Sequence, residues 1–214
     1  MTFAIGIFDL FTYTISGSVY LAFLGYLAAR LHRLDLAALA GAPVPTMIIL
    51  VLLSYLLGYV AYPVGAVVNR VVPRRRERRP RQEFLRRVPA ARDRDYVQAD
   101  AFLLLSALQL HDKDVAAEVT RLRASGVMLR NCAAPLGLGF VAAVVESGLG
   151  HTPAIAAGCA VLLAAGFFSL IVQARRLLHW AHLKTLELCF WLPDLDEQCR
   201  AAEDAGGDPA PTDR

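Results

Sequence analysis

Apolar positions in this chain gather into blocks instead of marking single faces, and the blocks predict the elements. Residues 11–29 (FTYTISGSVYLAFLGYLAA), 46–68 (TMIILVLLSYLLGYVAYPVGAVV), 132–145 and 153–174 (PAIAAGCAVLLAAGFFSLIVQA) hold almost no charge. A helix needs roughly 20 residues to cross a hydrocarbon core about 30 Å thick. Three blocks meet that length. The third is shorter and lies between Arg130 and Glu146, whose side chains can reach opposite headgroup layers, so it is also expected to cross.

Between the second and third blocks the pattern changes. A basic stretch punctuated by Pro73, Pro80 and Pro89 leads to a helix predicted over 96–110, with Asp95 as its N-cap. Its apolar run, AFLLLSALQL, is too short to cross a membrane and is expected to pack on protein. Another helix is predicted from Asp112, with Val115, Val119, Leu122, Gly126 and Leu129 on one face. No proline interrupts it before Pro135, so it should run on into the third span. The fourth span should likewise continue through LLHWAHLKTLELCFWL as far as Pro193. The fold class expected is all-α: an integral membrane four-helix bundle with a cytosolic helical insertion between spans 2 and 3 and a helical C-terminal extension. Residues 1–68 hold spans 1 and 2, and 69–127 form the basic linker and insertion. Spans 3 and 4 occupy 128–174, and 175–214 form a helix and an acidic tail expected to be disordered.

Composition agrees with a lipid environment. The 214 residues are 56% hydrophobic and 19% charged, where a soluble domain carries about a quarter charged. Mean hydropathy is +0.44. The formal net charge of +3 hides a strong asymmetry: eleven arginines fall within 70–94, opposed by Glu77, Glu83 and Asp93. Such a segment stays on the cytoplasmic side. Arg175, Arg176 and Lys184 place the C-terminus there too, and the chain then reads N-in, C-in in a bacterial inner membrane. Arg30 and Arg33, in a loop then assigned outside, run against the rule. The N-terminal block has no preceding Lys or Arg and is read as a retained span, not a cleaved signal.

Candidate chemistry is sparse. Ser54, Gly58, Ala61 and Gly65 form a stripe of small residues on the second span, and Gly137, Gly139 and Gly158 extend the theme to the third and fourth. Such stripes let helices approach closely in lipid, where hydrophobic gain is small. Pro63 and Pro135 are candidate hinges. Arg74, Arg75, Arg76, Arg78, Arg79 and Arg81 are expected to meet anionic lipid headgroups or an acidic partner. Almost no aromatic residue accompanies them, which argues against nucleic acid. Cys132, Cys159, Cys189 and Cys199 read as free thiols. His179 and His182 stand at i, i+3 but lack a convincing third metal ligand. No catalytic or phosphate-binding motif occurs, and no cofactor is expected. No Asp, Glu, Lys, Arg or His lies deep in a span, which argues against ion-coupled pumps and voltage sensors.

The function expected is therefore non-enzymatic. A cytosolic helical module would couple a partner or signal to the spans, in a self-assembling, channel-like or membrane-perturbing effector of the stress or phage-defence type. The partners expected are membrane lipids, further copies of the chain and a cytosolic protein encoded nearby. The alternatives are a membrane anchor that recruits a cytosolic partner and, behind it, a small-solute transporter.

Overall fold

The structure, a computed structural model, describes residues 2–31, 43–72, 79–150, 152–192 and 197, with side chains from residue 10 onward. Among the described residues every regular element is helical and none is a strand. In chain order the α-helices are α1 (Thr2–Arg30), α2 (Val44–Val60), α3 (Tyr62–Val71), α4 (Pro80–Arg87), α5 (Ala101–His111), α6 (Lys113–Leu149) and α7 (Pro153–Phe190). Two 3-10 turns, Pro89–Ala91 and Asp95–Val97, link α4 to α5.

Three helices are long and apolar enough to cross a membrane: α1 over Leu10–Arg30, α6 and α7. The pair α2 and α3 makes a fourth crossing if the two are taken as one bent span. The chain is thus a multi-pass membrane protein built as an all-α bundle. The second apolar block, expected as one helix, is broken by 44° at Ala61. Pro63 explains the break, because it lacks the N–H that would bond to the carbonyl one turn earlier, and its ring crowds that turn. Hydrogen bonding resumes on either side, with Ala61 N–H donating to Leu57 O at 2.9 Å and Gly65 N–H to Ala61 O at 3.2 Å.

The residues fall into two compact units, one within Met1–Arg74 and Arg123–Leu178, the other within Arg75–Leu122 and His179–Arg214. In the first unit burial runs opposite to a soluble core. Ser54 and Gly58 are the buried residues of α2, while Ile49, Leu56 and Val60 are 60% or more exposed. Small residues inside and large apolar ones outside is the arrangement expected where the outer medium is lipid.

The second unit is organised in the ordinary way for water. Phe84, Tyr96, Leu104, Leu108, Leu183 and Leu186 form its buried cluster, with Phe84 and Leu186 fully enclosed. At about 25 cal/mol per Å² of apolar area, such a cluster is the main source of its stability. The helix predicted over 96–110 is shorter at its start. Tyr96 and Val97 turn inward in a 3-10 turn, and the cap is Asp100, not Asp95: its carboxylate accepts from Phe102 N–H at 2.7 Å. Two Asp residues compete for the role, and the one adjoining the apolar run holds it while Tyr96 is drawn into the core. Asp112, where this helix was expected to begin, caps α6, accepting from Asp114 N–H at 2.9 Å and Val115 N–H at 3.2 Å.

Candidate functional site

The tightest packing lies between α1 and α2. A Cβ built on Gly17 would stand 1.7 Å from the Ser54 carbonyl oxygen, and one on Gly58 would stand 1.9 Å from that of Tyr13. Neither position can carry a side chain at this separation. Ser54 Oγ donates to Thr14 O at 2.7 Å and ties the two helices at the same level. Ser16, fully buried, donates to Thr12 O and Tyr13 O of its own helix. Tyr13 packs edge-on against Tyr55 and Tyr59. The stripe of Ser54, Gly58, Ala61 and Gly65 is buried throughout within this chain. Gly17, its partner on α1, was not singled out from the sequence, because one glycine among apolar residues shows no spacing of its own.

Gly65 brings α3 against Asn131 and the Arg130 carbonyl of α6. Asn131 is fully buried, and no described residue hydrogen-bonds to its side-chain amide. Arg130 places its guanidinium over the Tyr62 ring, 4.8 Å from the centroid, with Nε and Nη2 buried. The sequence placed Arg130 at a headgroup edge and no Asp, Glu, Lys, Arg or His deep in a span. The structure instead folds Arg130 and Asn131 inward, because Gly65 leaves room for them and the Tyr62 ring faces the cation. Pro135, four residues on, lies buried in the unbroken helix α6 and frees the Asn131 carbonyl from its helical partner. Nearby, Arg175 of α7 donates from Nε to Asn69 Oδ1 and from Nη2 to the carbonyls of Asn69 and Val72, at 2.7–2.8 Å. It closes the otherwise open C-terminal carbonyls of α3.

Gly137 meets the Phe167 ring of α7, and Gly139 meets Leu163 and Phe23. Gly158 differs: it is exposed, with nothing within 4 Å of its would-be Cβ. Between α1, α6 and α7 lies a cavity of about 610 Å³. Its lining is apolar except at one end, where Arg30 Nε and Nη2 donate to the two carboxylate oxygens of Glu146 at 3.1 and 2.9 Å. A cavity of this size, apolar with a few convergent polar groups, is of the kind that takes small molecules.

In the second unit Glu83 is the hub of the polar surface. His179 Nε2 lies 2.8 Å from one of its oxygens and Arg87 Nη2 lies 2.5 Å from the other, while Arg87 Nη1 also reaches Glu187 at 3.4 Å. The His179 hydrogen bond holds the Glu83 carboxyl below its usual range against the opposing effect of burial, and the Arg87 hydrogen bond and charge add to the lowering. No group of metal-ligating residues occurs among the described residues. Arg81 donates to the Gln98 carbonyl at 3.0 Å, so its guanidinium is partly engaged within the unit, and the Arg79 carbonyl starts α4. Arg74, Arg75, Arg76 and Arg78 lie outside the described residues, as do Cys199 and the acidic tail beyond Glu197. Cys132 and Cys189 are buried and Cys159 is exposed, and none of the three is in a disulfide.

No protein-family model, curated protein or solved structure matches the chain.

Proposed function

We propose that this is a membrane-embedded coupling protein. Its second unit meets a cytosolic partner or signal, and its spans respond as a self-assembling, channel-like subunit of a bacterial inner membrane. One observation carries the reading: α6 and α7, at 37 and 38 residues, each contribute residues to both units without a break. A span needs roughly 20 residues, and each helix runs on past that length, with 113–122 of α6 and 179–190 of α7 in the second unit. A change there is transmitted along hydrogen-bonded backbone, with no flexible linker to absorb it.

Two features support the partners. On α5, Phe102, Leu103 and Leu110 are exposed on the side away from the buried Leu104 and Leu108, which suits a protein surface of apolar chemistry. On α7, Ala154, Gly158, Ala165 and Ser169 are exposed and fall within one face of the helix, the kind of surface across which spans of separate copies approach closely.

The test is potassium flux from liposomes holding the full chain. Coupling predicts that Leu186→Ala, which loosens only the core of the second unit, changes flux relative to the unaltered protein. Flux at the level of empty liposomes in both would remove the channel-like version. The same apolar face on α5 favours a second reading, a membrane anchor for a cytosolic protein. That reading predicts no flux, and loss of the co-purifying protein in Phe102→Asp/Leu110→Asp.

A further inference from the structure

The cavity between α1, α6 and α7 has a shape and a charge distribution that select an occupant. Its wall is formed by Val19, Phe23, Leu136, Ala143, Ile155 and Leu163, and its charges, Arg30 and Glu146, stand together at one end. The three helices line it over 19–30, 135–146 and 152–163. Each stretch advances eleven residues, or about 16 Å at 1.5 Å per residue. Half of a hydrocarbon core about 30 Å thick is about 15 Å. The slot therefore runs the depth of one leaflet, with its charged end where headgroups lie and Pro135 near the other end.

We propose that this slot holds an acyl chain of a phospholipid with a phosphoethanolamine headgroup, its phosphate on Arg30 and its ammonium on Glu146. Arg30 spends Nε and Nη2 on the carboxylate, which leaves Nη1 to donate to phosphate oxygens. Glu146 accepts one bond on each oxygen and keeps lone pairs for an ammonium N–H. Both side chains are accessible, at 52% and 26%. A zwitterionic head meets this ion pair with each charge against its opposite. An anionic phosphoglycerol head satisfies Arg30 but sets uncompensated negative charge beside Glu146. A phosphocholine head has no N–H to give, and a free fatty acid has only a carboxylate that Glu146 repels.

The experiment purifies the full chain in mild detergent with an equimolar mixture of phosphatidylethanolamine, phosphatidylglycerol and phosphatidylcholine. Retained lipid is then counted by native mass spectrometry. Phosphatidylethanolamine is expected to be retained over the other two. Glu146→Gln, which keeps the side chain's size and removes its charge, is expected to lower its ratio to phosphatidylglycerol about fivefold, the factor carried by one such charge contact. Ala143→Phe, which fills the slot while leaving its charges, is expected to abolish retention of all three. The charge exchange Arg30→Glu/Glu146→Arg keeps a matching zwitterion and should retain phosphatidylethanolamine. No retained lipid in the unaltered protein, equal retention of the three, or a ratio unmoved by Glu146→Gln would each overturn the proposal.

Discussion

At the scale of single residues, the glycines divide by what surrounds them, and the division is measurable. Gly17 and Gly58 face backbone carbonyls of the opposing helix, so any side chain there must push α1 and α2 apart. Overpacking a closed contact typically costs about 1–3 kcal/mol and occasionally more. Gly58→Leu is therefore expected to lower the melting temperature in detergent by several degrees or prevent folding. Gly158→Leu, placed in open space, is expected to leave the melt unchanged and alter only the oligomer seen on native gels. In the second unit Leu186→Ala empties an enclosed site, at an expected cost of about 2–5 kcal/mol. Both tryptophans, Trp180 and Trp191, lie in that unit, so intrinsic fluorescence reports its unfolding. The same signal tests Glu83. Because its folded carboxyl titrates below its usual range, its contribution is complete above the ordinary glutamate pKa of about 4.3 and is lost as pH falls through the lowered value. Stability followed against pH should thus lose the Glu83 contribution only below about 4.3, and Glu83→Gln should blunt the decline there. A decline of equal depth in both proteins would assign the acid sensitivity to other groups.

At the scale of elements, the apolar blocks of the sequence were enough to read the helices, because length and lack of charge decide whether a segment crosses lipid. Their ends were less legible. Asp95 and Asp100 are both good caps in sequence, and only the burial of Tyr96 and Val97 decides between them. Asp100→Ala and Asp112→Ala are expected to cost about 1 kcal/mol each, as read by the same fluorescence melts. Pro63 was legible as an interruption but not as a 44° bend, since the angle depends on what α3 packs against. The stripe on α2 was visible in the spacing of Ser54, Gly58, Ala61 and Gly65. That it turns inward towards α1 and α6 was not, since a small-residue stripe looks alike whether its partner is the same chain or another copy. The inward turn of Arg130 and Asn131 was missed because a polar pair at the edge of an apolar run normally marks a headgroup boundary. The signal available was Gly65, the last small residue of the stripe, which leaves room for a neighbouring side chain. The cavity and the Arg30–Glu146 pair could not be found by spacing, as the two residues are 116 positions apart.

At the scale of the whole molecule, the account depends on a threading that leaves the second unit in the cytoplasm and the turn between α6 and α7 on the opposite face. The eleven arginines within 70–94 argue for that side, and Arg30, which opposes the rule, is held by Glu146. The coupling proposed for α6 and α7 has meaning only if both helices cross between those two compartments. Single cysteines introduced into a cysteine-free background and probed with a membrane-impermeant maleimide test this directly. Gly148→Cys, beside the α6–α7 turn, is predicted to react in intact cells, and Gln98→Cys, on the surface of the second unit, only after the membrane is opened. Labelling of both positions from the same side would contradict the threading, and with it the coupling.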